Sequence, residues 1–415
     1  MTRRKFVGTT AAAAAFTVVP RHVLGGPGFT APSDKLNIAY IGCGTQGIKE
    51  MASLLKQEDI QITSVCDPNK YTTDYVDWSA NGIRNIIRRT LDEPEWGAAI
   101  KGIPGGRDVG QMFAQQYYAK KNGTGSHEGI NSYIDYRELL EKETDIDAVK
   151  IMTPDHLHAA VAIASMKKGK HVVIHKPIAN RMKEALKSIE TARETGARSH
   201  LLAWSEISGL GVALDWIKQG HIGELQEIHN WSSRPMWPQW TSNPEETPAI
   251  PDGFDWQLWL GPSTDRPYSP EYTHFVYRGW FEFGGGVLCD MAFYGFWRDF
   301  RVLNLGVPVS AKADCSIHYE LDNYVFKKVE NKLSFPWASR IHWDVPVLDK
   351  NENVDVYWYD GNMKPPTPRA MVDKGVDLSD RGGVLFIGEK GVIYTSFDRY
   401  NNMQIFSWRI LRTHR

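Results

Sequence analysis

The stretch that decides the fold is Lys35-Leu-Asn-Ile-Ala-Tyr-Ile-Gly-Cys-Gly-Thr-Gln-Gly47, followed by a second apolar run that closes on Asp67. Lys35 to Ile41 is apolar and partly β-branched, as a buried strand requires. It runs into Gly42-Cys43-Gly44-Thr45-Gln46-Gly47, after which Ile48, Met51, Leu54 and Leu55 recur at helical spacing. Ile60 to Cys66 predicts the next strand. In such a strand–turn–helix–strand unit, Gly42 allows the tight turn, Gly44 lets the backbone approach a pyrophosphate, and Gly47 lets the helix pack on the strand. Thr45 and Gln46 open the helix, whose unpaired N–H groups suit phosphates, and Asp67 can accept from ribose hydroxyls. The stretch therefore predicts a Rossmann dinucleotide site. Asp67 would repel a 2′-phosphate and Pro68-Asn69 supplies no arginine clamp, so NAD is expected over NADP, with Lys70 as the one residue arguing the other way.

Around this stretch lies a chain of 415 residues, long enough for about two domains. Its composition is 42% hydrophobic and 23% charged with a net charge of −1, which gives no reason to expect nucleic acid or an anionic membrane as partner. The 15 Trp and 17 Tyr, mostly beyond residue 200, suit either sugar faces or core packing. Arg3-Arg4 followed by an Ala-rich run to Val19 reads as a twin-arginine signal over residues 1–31, too short to span a bilayer, and predicts a periplasmic protein. That route carries folded proteins, which suits one that acquires a cytoplasmic cofactor first. Cys43, Cys66, Cys289 and Cys315 form no C-x-x-C pair, so no metal site is expected from them.

Beyond Asp67 the polar segment from Pro68 to Asn131 is an insertion with weak helical patterning near Val109 to Lys120. Alternation then resumes: a helix from Tyr136, a strand over Ile146 to Met152, a helix opened by Thr153-Pro154-Asp155-His156-Leu157-His158, and a strand over His171 to Ile174. This βαβα order predicts a doubly wound parallel sheet, with Lys176 just past a strand end, where ligands sit in such folds.

The signature T-P-D-H-L-H-A-A at 153–160, with G-K-H-V-V-I-H-K-P-I-A at 169–179, resembles the Gfo/Idh/MocA (glucose–fructose oxidoreductase/inositol dehydrogenase) family, whose usual text is T-P-x-x-x-H and E-K-P. Further matches are W-S-S-R-P-M-W-P-Q-W at 231–240, D-W-Q-L-W-L-G-P at 255–262, and the run from Arg278 to Asp290, which place it nearest the exported bacterial branch. The resemblance implies an α/β protein: an N-terminal Rossmann domain over 35–179, then an α+β domain over 180–400 with a large, mostly antiparallel sheet for substrate binding and oligomerisation. It implies NAD contacts from Thr153, Pro154, His156, His158 and Lys176, beside the glycine turn and Asp67. It also implies a homo-oligomer acting on a carbohydrate. The closing run, 401–415, does not resemble the family's continuation, so a shortened chain with an uncovered sheet face is expected there.

In this family a lysine, an aspartate and a histidine in D-x-x-x-H hold the reacting alcohol. Lys176 and Asp290 match, while Tyr294 stands at the histidine position and His175 at the usual glutamate. Histidine suits proton removal near neutral pH, whereas a phenol starts near 10. A lysine ammonium beside Tyr294 is expected to lower that value, and a space-filling Tyr294 in an impaired site is the alternative. Arg234, Trp237, Trp240 and Arg278 are candidate sugar contacts, with core packing of the tryptophans equally open. Two reactions remain: net oxidation of a sugar or glycoside hydroxyl, or glycoside cleavage through transient oxidation.

Overall fold

The computed structural model describes residues 34–202, 208–396 and 403–408, which form two domains, each built on one large sheet. The first domain alternates strands and helices in chain order: β1 (Leu36–Ile41), α1 (Thr45–Leu54), β2 (Ile60–Cys66), α2 (Gly82–Leu91), α3 (Arg107–Asn122), β3 (Asn131–Tyr133), α4 (Tyr136–Lys142), β4 (Ala148–Ile151), α5 (Asp155–Lys167), β5 (His171–His175), α6 (Met182–Thr195) and β6 (Ser199–Leu202). The strands lie in the order β3-β2-β1-β4-β5-β6, all parallel, so the order reverses between β1 and β4. Both faces are covered. Ile48, Met51 and Leu55 pack with Ile87 and Phe113 on one side, and Leu139, Val161 and Met166 pack with Ile151 and Ile174 on the other. Burial on both faces is why β1 and β4 read as mostly apolar runs, interrupted only by Asn37 and Lys150.

One boundary moves. The sequence suggested that the chain leaves the Rossmann domain at 179/180, but α6 and β6 follow, and β6 pairs in parallel with β5. The first domain therefore runs to Leu202, and Pro177–Asn180 is an ordinary β–α connection. The insertion acquires structure as well. It supplies α2 and α3, and its opening part, 68–81, forms a strap bridged to Gly105, Ile103 and Phe254.

The second domain contributes α7 (Ser208–Lys218), β7 (Leu225–Ser232), α8 (Trp256–Leu260), α9 (Phe293–Val302), β8 (Ser310–Cys315), β9 (His318–Asp322), β10 (Val325–Val329), β11 (Ser339–Val347), β12 (Glu352–Tyr359), β13 (Gly382–Gly388), β14 (Gly391–Ser396) and β15 (Gln404–Ser407). Its seven-stranded sheet has the order β15-β14-β13-β7-β12-β11-β8 and is antiparallel except for the β7–β12 pairing. β9 and β10 form a separate hairpin. Ala213, Leu214 and Ile217 of α7 cover one sheet face over Ile228, Val356 and Phe386. On the other face Tyr357 stacks between His229 and His342, each at 4.6 Å. Part of the closing run adds β15 to the edge, where Trp408 Nε1 donates to the Gly388 carbonyl at 2.9 Å. The signal segment and residues 409–415 lie outside the described residues.

Candidate active site

The carboxyl ends of β1, β4 and β5 open into a cavity of about 1070 Å³ that the strap and the second domain close from the other side. It sits at the strand-order reversal, where open parallel sheets take their ligands. At its nucleotide end Gly42 has φ +99°, and a Cβ there would meet the Met152 carbonyl group at 2.5 Å. A Cβ on Gly47 would overlap the Gly42 carbonyl oxygen, so the turn closes only with glycine at both positions. The first turn of α1 has neither a side-chain cap nor an acidic residue, and Gly44 to Gly47 line the cavity. Its N–H groups are thus open to an anion, as a pyrophosphate requires. Asp67 lines the same end, and its carboxylate accepts from the Cys43 and Asn69 N–H groups at 2.7 and 2.8 Å. Burial outweighs these bonds and lifts its pKa to about 6. Each oxygen keeps a second lone pair for a ribose hydroxyl. These residues fit a dinucleotide.

Thr153 and Pro154 line the cavity, but neither His156 nor His158 reaches it. His156 packs against Trp259 and Phe283 with Nε2 on the Trp259 carbonyl at 2.9 Å, and burial lowers its pKa to about 4. The ring nitrogens of His158 face the Pro177 and Thr153 carbonyls at 2.5 and 2.8 Å. It ties together the two loops that carry Thr153 and Lys176 without touching the ligand space.

At the other end the domains meet through charge. Lys176, 1% exposed, donates to Asp290 Oδ1 at 2.9 Å and to the Asp290 main-chain carbonyl. Arg278 Nε donates to the same Oδ1 at 3.2 Å, and Arg234 Nη1 lies 3.1 Å from Oδ2. Burial works against the Asp290 charge, but Lys176, Arg278 and Arg234 outweigh it and hold the carboxyl well below its usual range. Asp290 lies in a π-helical turn, Leu288–Ala292, that continues into α9, a local irregularity frequent at functional sites. The Lys176 ammonium lies 4.8 Å from the Tyr294 ring centroid. Here the expected pKa direction is reversed: burial raises the Tyr294 phenol above its ordinary value, and the nearby Lys176 charge only offsets part of that. His175 also lines this end, with burial and then Lys176 keeping it neutral well below its usual pKa. Behind the site Asp155 accepts from the Tyr277 hydroxyl at 2.9 Å and lies 4.0 Å from Arg278.

Arg234 and Arg278 line the cavity, whereas Trp237 and Trp240 do not. Trp240 stacks on Trp280 at 4.6 Å, and both tryptophans sit in the aromatic core. The cavity wall includes Tyr75 and Trp78 of the strap and Phe275, none of them anticipated. Aromatic residues within an otherwise polar insertion were the only signal for the strap pair.

Residues 111–202 match the family model described as the oxidoreductase family GFO_IDH_MocA, NAD-binding Rossmann fold, and residues 216–306 match its C-terminal alpha/beta domain. The first domain is thus an NAD-binding Rossmann domain. Among curated proteins, the glycosyl hydrolase family 109 protein 1 of Shewanella sp. (strain ANA-3) and the alpha-N-acetylgalactosaminidase of Shewanella oneidensis are each 25% identical over 203 residues, 48% of this chain and 35% of theirs. The chain thus matches about a third of the length of these relatives. Among solved structures, the WlbA dehydrogenase from Bordetella pertussis in complex with NADH and UDP-GlcNAcA is similar with a TM-score of 0.52 at 14% identity, over 90% of this chain and 84% of that one. A levoglucosan dehydrogenase in complex with NADH and L-sorbose gives 0.51 at 14%, over 92% and 78%. These two share the fold.

Proposed function

From the two Gfo/Idh/MocA oxidoreductase domains that the chain carries, we propose that it takes hydride from a secondary hydroxyl of a sugar or glycoside in an NAD-dependent reaction. The observation that carries this reading is the meeting of Lys176, Asp290 and Tyr294 at one end of a cavity whose other end is the glycine turn. When bound, NAD supplies the hydride acceptor. Gly42, Gly44 and the first turn of α1 would hold its phosphates, Asp67 a ribose, and Thr153, Pro154 and Lys176 the end nearest the substrate.

The chain's own residues handle the proton. The substrate hydroxyl is placed against Lys176 Nζ and Tyr294 Oη, and its proton passes to the tyrosine oxygen in its phenolate form, leaving a neutral phenol, as the C–H bond breaks. Burial makes Tyr294 a reluctant base, so the Lys176 charge beside it is essential. Asp290 stays ionised and fixes the ammonium. Arg234 and Arg278 add positive charge that favours an alkoxide over a neutral alcohol.

A second reading is glycoside cleavage through transient oxidation, favoured by the likeness to the glycosyl hydrolase family 109 proteins. Both readings share the first step. We also place the protein in the periplasm, on the Arg3-Arg4 pattern, as a homo-oligomer that retains and recycles its NAD.

The test is product analysis. The protein, purified with its NAD, is mixed with free sugars and glycosides, and products are separated by chromatography. A keto-sugar formed together with reduced NAD supports oxidation. A cleaved glycoside with no net reduction supports the second reading, and no product of either kind contradicts both.

A further inference from the structure

We propose that Trp78 forms an outer subsite that stacks a second sugar ring, so that the preferred substrate is a disaccharide or longer glycoside, not a free sugar. This rests on the reading that the Lys176–Tyr294 end of the cavity takes a sugar hydroxyl.

Trp78 belongs to the strap and lines the same cavity as Lys176, yet its side chain is 53% exposed. It is exposed without being loose. The Phe275 ring meets it edge-on at 5.1 Å and 87°, and the Arg234 guanidinium lies 4.1 Å from its ring centre. The strap just before it is pinned to the first domain: Asp77 pairs with Lys49, and the Val76 carbonyl accepts from Thr45 Oγ1 at 2.9 Å. An indole held this firmly, and still left in water, is a preorganised surface for a flat apolar partner.

Its place relative to the reacting end sets the size of that partner. Lys176 is 2.9 Å from Asp290, Asp290 is 3.1 Å from Arg234, and Arg234 covers part of the indole. The indole therefore sits one guanidinium further out than the carboxylate that fixes the lysine. A sugar with its hydroxyl at Lys176 fills the charged floor, and the next ring reaches the indole. Met236, 65% exposed, lines the cavity as well and adds a second apolar surface. The division matches a pyranose: its C–H face suits the indole and its hydroxyl rim suits Arg234.

Calorimetry on the full chain loaded with NAD tests this, using glucose, galactose and N-acetylgalactosamine, their methyl and phenyl glycosides, and disaccharides that begin with each. The expected result is that disaccharides bind about tenfold more tightly than the free sugar or methyl glycoside. Trp78→Ala should abolish that gap and Trp78→Phe should keep part of it, with NAD content and circular dichroism reporting that each variant is folded. The proposal is overturned if wild type shows no gap, if the gap survives in Trp78→Ala, or if only phenyl glycosides gain, which would assign the subsite to an aryl group. It is equally overturned if Trp78→Ala changes the oligomeric state and leaves the gap, making the indole a contact between copies. Binding is read apart from turnover. A gap that depends on Trp78, with no reduction of NAD by any sugar, supports the subsite and contradicts the oxidoreductase reading; reduction by free sugars with no gap does the reverse.

Discussion

Lys176 and Asp290, 114 residues apart, clasp the two domains together: one ammonium holds both the carboxylate, at 2.9 Å, and the main-chain carbonyl of the same residue. The pair is buried, at 1% and 6% exposure, and it is unequal, because Asp290 has two further cations while Lys176 has no second carboxylate among the described residues.

That inequality predicts different costs for the two deletions. Lys176→Ala leaves Asp290 between two arginines, so the fold holds, while turnover falls by roughly 10²–10⁴. Asp290→Ala leaves three cations facing one another. It should lose activity and also about 3–5 kcal/mol of stability, as removal of one partner of a buried ion pair does. Thermal unfolding of both variants beside wild type checks the order, and equal destabilisation would argue against the charge count.

Tyr294 sets the pH profile. Burial raises its pKa above the ordinary phenol value, so the fraction able to accept a proton grows as pH rises, and kcat should climb through neutrality into the alkaline range. Tyr294→His places a group with an ordinary value of about 6.5 at the same position, and its profile should level off at lower pH. A wild-type profile with its only limb near the histidine range would remove Tyr294 as the base.

Retention of NAD should depend on Asp67. Its folded pKa is raised to about 6, so the carboxylate is present above that value and is lost as pH falls through it. Dilution into buffers on either side of pH 6, followed by desalting, should show NAD released on the acid side. Asp67→Asn should retain less NAD at neutral pH and lose that pH dependence.

Asp299 predicts a stability effect away from the cavity. It is fully buried in α9, where burial raises its pKa to about 8, the nearby Asn230 amide offsetting only part of that. The unfolded chain ionises this group near 3.9. Between the two values the folded form holds a proton that the unfolded form has released, so stability declines as pH rises through that window and levels off above it. Asp299→Asn should flatten the slope and stabilise the protein at pH 8 by roughly 2–4 kcal/mol, measured by urea unfolding across pH.

Much of the first domain was legible because its signals are local. Glycines at the end of β1, an acid at the end of β2 and the alternation of periods are all visible in one dimension. The end of that domain was misplaced because the Pro177–Asn180 loop resembles a linker, and nothing local announces that β6 will return to pair with β5. The strap was missed because a segment anchored by Lys49, Thr45 and Phe254 has no periodicity of its own. Trp237 and Trp240 were ambiguous because a large aromatic side chain satisfies a core and a sugar site equally well. The direction of the Tyr294 pKa depended on burial set by residues distant in sequence, which spacing does not reveal.

The most direct test of the central claim is a single-turnover comparison of wild type and Tyr294→Phe, each carrying its bound NAD, after addition of a glycoside that binds. The absorbance of reduced nicotinamide should rise in wild type and stay flat in the variant at equal NAD content. Equal rates of reduction in the two proteins would contradict the assignment of proton transfer to Tyr294, and no reduction in wild type would contradict the oxidoreductase itself.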